Sequence, residues 1–202
     1  MLPEDEMGPI GINRKNVGRI AERIVSNELE FRGFRVSDLN KEGTSANADL
    51  LAARDGKTWQ IQVKGATEDD GWWFGYGYCD EAIVAGKGKD EGRMFNRCSN
   101  SSFYKAQIVV LVSVKSPKEY SCLVLPEKIA EEAAQTNLDR EYRTLKKDGA
   151  RKRPGPVWVS LDWTPKTTDA RKRSFDAERG LLEPYRDTWG ALDASTPSSI
   201  GG

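Results

Sequence analysis

Ala48 to Gly65 reads ADLLAARDGKTWQIQVKG, and the pairing within this stretch decides the fold. Two extended segments, Ala48 to Arg54 and Lys57 to Gly65, flank Asp55-Gly56, a dipeptide suited to a two-residue type I′ turn, in which both central residues need positive φ. Counting outward from such a turn sets Arg54 against Lys57, Ala53 against Thr58, Leu51 against Gln60 and Asp49 against Gln62. Directly opposed Cβ atoms lie about 4.5–5.5 Å apart, so the Asp49 and Gln62 side chains are expected to meet. Lys64, two residues beyond Gln62, falls on the same face, while Trp59, Ile61 and Val63 fall on the other. One end of the hairpin thus gathers a carboxylate, an amide and an ammonium group.

Working outward toward the N-terminus, Val17, Ile20, Ala21, Ile24 and Val25 recur at helical spacing between Asn13 and Arg32, with Asn13 or Asn16 as cap and Gly33 as stop. On this helix Lys15, Gly18, Arg19, Glu22 and Ser26 gather on the polar side, so Glu22 is expected to face away from the packed stripe. Phe34 to Val36 starts a strand, and Asn40 to Asn47 (NKEGTSAN) has turn composition.

Toward the C-terminus, Ala66 to Ser102 is rich in Gly and aromatics without a sustained period, which predicts irregular structure with short strands or turns. Trp72, Trp73, Phe74, Tyr76 and Tyr78 suit core or hinge packing, with stacking against unpaired bases as the alternative. Ala106 to Val114 is a β-branched run suited to a central strand buried on both faces, and Ser121 to Leu125 is another. Pro126-Glu127 opens a helix through about Gln135. Asp139 to Pro156 reads as a charged loop or short helix, Val157 to Trp163 as a late strand, and Phe175 to Leu192 as a helix interrupted at Gly180 and Pro184. A single domain over residues 1–192 is expected, with its core at about 13–135 and a disordered tail over 193–202.

Composition narrows the chemistry. Among 202 residues there is no histidine, which excludes imidazole general bases, Ser-His-Asp and Cys-His nucleophiles and His-ligated zinc. Cys79, Cys98 and Cys122 match neither a disulfide framework nor a zinc pattern. The longest apolar run, Ile108 to Val112, is far too short for a bilayer, and the acidic start MLPEDEMGPIG does not read as a secretory signal, so a cytoplasmic location is expected. Basic and acidic residues balance at 31 each, which gives no global attraction for polyanions; clusters such as Lys87 to Lys89 and Arg151 to Arg153 still allow a local positive surface.

A hard divalent ion such as Mg²⁺ takes oxygen ligands, keeps several waters and needs only one or two protein carboxylates. Asp49 offers one and Gln62 a neutral oxygen, with Glu22 available as a second acid. Lys64 beside such an ion suits orientation of water or stabilisation of negative charge at a phosphate. For any one of these residues alone, a solvated polar face is the simpler explanation; for the set it is less so.

A helix carrying Gly18-x-x-x-Glu22, then Gly33-Phe34-Arg35-Val36, then Ala48-Asp49-Leu50-Leu51, then Ile61-Gln62-Val63-Lys64, resembles the PD-(D/E)XK nuclease superfamily in its QxK variant. The resemblance is to archaeal-type Holliday-junction resolvases and to intron-encoded homing or Mrr-like restriction endonucleases. It implies an α/β, restriction-endonuclease-like core, a mixed central β-sheet flanked by helices in αβββαβ order with C-terminal additions. It also implies a Mg²⁺-dependent DNA endonuclease, with Mn²⁺ as substitute, acting as a homodimer because one site cuts one strand. In that reading Asp49 is the central ligand, Gln62 stands where most members carry Glu or Asp, Lys64 is the motif lysine, the Val63 carbonyl is an extra ligand and Glu22 the helix-borne acid. Thr44 or Ser45 would lie near the phosphate, with Lys15, Arg19, Lys87, Lys89, Arg93 and Arg97 on the DNA backbone. Gln62 lacks the usual negative charge and no proline precedes Asp49, which with the neutral net charge leaves as an alternative a DNA-binding or assembly module that has lost catalysis; the aromatic stretch offers another, a protein-interaction domain.

Overall fold

The computed structural model describes residues 14–40, 48–67, 71–74, 78–83, 93–97, 106–116, 118–143, 157–159 and 169–194. Helix α1 (Arg14–Phe31) buries Val17, Ala21, Val25 and Leu29, one residue per turn in a single stripe. At its end Gly33 takes φ +81°, its N–H donates to the Glu30 carbonyl at 2.9 Å, and the Phe34 N–H donates to the Leu29 carbonyl at 3.1 Å. These two bonds form a Schellman motif, with Leu29 and Phe34 buried in the same cluster.

Strands β1 (Arg35–Asp38), β2 (Leu50–Arg54) and β3 (Lys57–Thr67) follow as an antiparallel meander. Three short strands come next, β4 (Trp72–Phe74), β5 (Tyr78–Ile83) and β6 (Arg93–Arg97), then β7 (Ile108–Ser116) and β8 (Glu119–Pro126). The main sheet has the order β1-β2-β3-β7-β8, with β3 and β7 parallel and β7 and β8 antiparallel. This is the expected mixed sheet flanked by helices. The expected αβββαβ order is corrected at one place. Among the described residues the β3-to-β7 crossover carries β4, β5 and β6 and no helix, and α2 (Glu127–Arg143) comes after β8. Gly71, Gly75, Gly77, Gly86, Gly88 and Gly92 in that crossover lower its helix propensity throughout.

The two faces of the sheet bury different residues. Ile61, Val63, Val110, Val112, Cys122 and Val124 pack with the α1 stripe, whereas Val109, Leu111, Leu123 and Leu125 pack with Ala130, Ala133 and Ala134 of α2. Strict alternation along β7 makes it the central strand with both faces covered. α2 outlasts its expected end at Gln135, because neither Gly nor Pro interrupts the chain between Pro126 and Gly149. Strand β9 (Val157–Val159) pairs with β4, and Trp72 joins Val159 in the α2-side core with its indole N–H donating to the Val112 carbonyl at 3.0 Å. Trp72 is therefore core. Trp73, Phe74 and Tyr78 are described as backbone only, and Tyr76 lies outside the described residues.

The C-terminal helix α3 (Asp169–Leu182) runs through Gly180 and gives way at Pro184 to a 3-10 turn, Glu183–Tyr185. The chain then crosses the outer edge of β8 and ends in α4 (Ala191–Ala194). The expected tail over 193–202 lies outside the described residues from 195 onward.

Candidate active site

The β2–β3 hairpin has the expected register, with Asp55 and Gly56 at φ 51° and 74° and Arg54 opposite Lys57. Its ladder holds as far as Leu50 opposite Ile61. There the Asp49 N–H also donates to the Ile61 carbonyl, at 2.9 Å, so two residues of one strand face one of the other, as in a β-bulge. The bulge turns β2 away and leaves the Val63 N–H, which points toward β2, without a strand partner. The Asp49 side chain fills that place. Its Oδ2 accepts from the Val63 N–H at 2.7 Å and from Gln62 Nε2, and its Oδ1 accepts from Asn40 Nδ2 at 3.3 Å.

Asp49 and Gln62 therefore meet, and the meeting point lies in the plane of the sheet, where β2 leaves β3. The buried Gln62 turns its amide nitrogen to the carboxylate; a half-turn of the amide would exchange that donor for an oxygen. N–H and C=O of one strand residue point to the same side, so the Val63 carbonyl opens into the same gap, with Gln62 Nε2 at 3.5 Å. Lys64 is half-buried and forms no ion pair among the described residues.

Glu22 does not face away from the core, as expected from the helical projection. It is half-buried and lines a cleft of about 350 Å³ with Arg19, Arg23, Ser26, Val36, Asp38 and Leu50. The reason is the closeness of α1 to β3. A Cβ on Gly65 would lie 2.7 Å from Ala21 Cβ and 2.8 Å from the Val17 carbonyl oxygen, so only glycine lets the helix settle this deeply. The flank next to the buried stripe is thereby lowered toward the sheet. Burial, then the charges of Asp49 and Asp38, push the Glu22 carboxyl above its usual range, with Lys64 and Arg19 pulling the other way.

Glu22 and Asp38 line the cleft, and Asp49, which does not, is close enough to raise the Glu22 carboxyl; carboxylates that repel one another in this way suit a cation. Among the described residues no three of His, Cys, Asp and Glu converge as a ready metal cage. The donors that do converge, one carboxylate, a backbone carbonyl and an amide with a second acid nearby, fit Mg²⁺, which retains water and asks little of the protein.

Of the other expected contacts, Arg19 lines the cleft, and Lys15 belongs to α1 and Arg93 and Arg97 to β6, described as backbone. Thr44, Ser45, Lys87 and Lys89 lie outside the described residues. Sequence patterns do not single out Asn40, whose neighbours have turn composition, nor Asp38, Arg23 and Gly65. Only Asn40 and Asp38 left a signal: polar residues directly after a strand and close to an acidic motif residue.

No family model and no curated protein matches this sequence. Among solved structures, the chain is similar to a bacterial homing endonuclease, I-Ssp6803I, at 14% identity, with 89% of this chain and 91% of that one covered and a TM-score of 0.42. It is also similar to MepB at 9% identity, with 76% and 83% covered and a TM-score of 0.30. Likeness at this level carries nothing about the chemistry of this chain.

Proposed function

We propose that the chain is a Mg²⁺-dependent DNA endonuclease that hydrolyses phosphodiester bonds. The observation that carries this reading is the Asp49 carboxylate standing in the gap between β2 and β3, beside Gln62 and the Val63 carbonyl, with Glu22 and Lys64 close enough to influence each other. Asp49, Glu22, the Val63 carbonyl and, after the half-turn of its amide, Gln62 would hold the ion. When bound, the ion supplies charge neutralisation at the phosphate and a more acidic water.

The residues of the chain do the rest. Asn40 and the Val63 N–H keep the Asp49 carboxylate in one orientation. Lys64, in no ion pair among the described residues but within electrostatic reach of Glu22, would offer its ammonium group to the negative charge that develops on the phosphate. Without histidine, proton transfer falls to water held by Lys64 and the acids. One such site cuts one strand, so the working species in this reading is a homodimer.

Purified protein would be incubated with supercoiled plasmid, linear duplex and a four-way junction, in Mg²⁺, Mn²⁺ or EDTA. Metal-dependent cutting is expected, abolished in Asp49→Ala and lowered about 100- to 1000-fold in Lys64→Ala. Full activity in Lys64→Ala would sink the assignment. A second reading, a DNA-binding module without catalysis, is favoured by the Gln62 amide donating to Asp49, which occupies Oδ2 with two hydrogen bonds. It predicts DNA binding that is indifferent to Mg²⁺, and no cutting of any of the three substrates.

A further inference from the structure

Helix α1 brings two guanidinium groups to the cleft. Arg19 and Arg23 are four residues apart, hence neighbours on one helix face about 6 Å apart along the axis. Both are exposed and both line the cleft that Glu22 also lines. Neither forms an ion pair among the described residues, although α1 holds three acids; Glu28 pairs instead with Arg32, just past the end of the helix. Like charges at this spacing oppose helix formation, and neither side chain is buried in the core, so core packing gives no reason for the pair; Arg19 acts on Glu22 only at a distance. The cleft is also lined by three acids, the half-buried Glu22 and Asp38 and the exposed Glu30. An anion would therefore be held by the two exposed arginines, outside the half-buried acids.

We infer that Arg19 and Arg23 form a phosphate-binding pair that engages successive phosphates of one polynucleotide strand, so that this strand runs along α1 into the Asp49 gap. The inference rests on the proposed function for the identity of the polyanion. Planar guanidinium groups contact phosphate oxygens in pairs, and an axial spacing of one helical turn is comparable to the step between neighbouring phosphates. The strand's direction past the site is thereby set by the helix axis, independently of base sequence.

The test uses the full chain and a labelled duplex oligonucleotide in EDTA, with affinity followed by anisotropy from about 50 to 200 mM salt. Each of Arg19→Gln and Arg23→Gln is expected to lower the steepness of log affinity against log salt by about 0.9, and the double variant by about twice that. Circular dichroism should be unchanged in all three, since both positions are exposed. A double variant with wild-type slope and affinity overturns the inference, as does a wild type that fails to bind duplex even at the lowest salt. Failure of the nuclease reading looks different: slopes fall in the arginine variants while no substrate is cut in Mg²⁺ or Mn²⁺. In that case the phosphate pair stands without the catalysis.

Discussion

At the scale of residues, the Asp49 carboxylate is held from two sides, by Asn40 on Oδ1 and by Val63 and Gln62 on Oδ2. Partners that orient a metal ligand commonly change metal affinity by about 10- to 100-fold when removed. Asn40→Ala is expected to weaken Mn²⁺ binding, followed by calorimetric titration, at least about tenfold within that range while melting stays close to wild type. Unchanged Mn²⁺ affinity would mean that Asn40 merely terminates β1. Glu22 adds a pH prediction for protein kept in EDTA. Burial first, and then Asp49 and Asp38, raise its carboxyl above the ordinary value of 4.5. The folded chain thus holds this proton more tightly than the unfolded chain, and stability is lost as pH rises from the ordinary value through the raised one. Glu22→Gln should melt higher than wild type at neutral pH, and the gain should vanish below the ordinary carboxylate range. A gain that persists in acid would contradict the electrostatic cause.

At the scale of elements, the docking of α1 on β3 decides whether Glu22 belongs to the site at all. Gly65 allows that docking because one of the atoms its Cβ would meet, the Val17 carbonyl oxygen, is backbone and cannot rotate aside. Gly65→Ala is expected to lower stability by about 1–3 kcal/mol in urea titration, as overpacked sites do, and, in the proposed endonuclease reading, to reduce cleavage by lifting Glu22 from the cleft. Wild-type stability and activity would show that α1 adjusts without strain. The hairpin has the opposite character. Its turn, its register and the inward set of Trp59, Ile61 and Val63 are all local consequences of alternation around Asp55-Gly56.

At the scale of the whole molecule, the segment after α3 ties the two faces of the sheet together. Leu182 belongs to the α2-side core, while Trp189 and Leu192 belong to the α1-side core, so the chain passes around the edge of β8. There Asp187 donates its N–H to the Cys122 carbonyl at 2.6 Å and accepts the Cys122 N–H on Oδ1 at 2.8 Å, while Arg186 reaches Ser121 Oγ at 3.0 Å. Covering that edge removes a template for pairing with other chains. Trp189 packs under the Arg32 guanidinium, 4.7 Å from the ring centroid. Trp189→Ala should destabilise the chain by about 3–5 kcal/mol by chemical denaturation, the range for a large buried ring. A loss under about 1 kcal/mol would mean that the segment is not part of the cooperative core.

The sequence by itself determined what depends on neighbours along the chain. These features are the stripe of α1 and its glycine stop, the type I′ hairpin and the meeting of Asp49 with Gln62, the doubly covered β7, and the absence of imidazole chemistry. Each follows from periodicity, a turn dipeptide or composition, which act over a few residues. Tertiary structure alone decided the rest. The bulge at Asp49, which turns β2 away from β3 and sets the carboxylate in the plane of the sheet, is a departure from the ladder that alternation around the turn does not record. Glu22 enters the cleft because Gly65, more than forty residues away, lets a helix settle close. The C-terminal segment along β8 depends on contacts between distant parts of the chain, which no local pattern records.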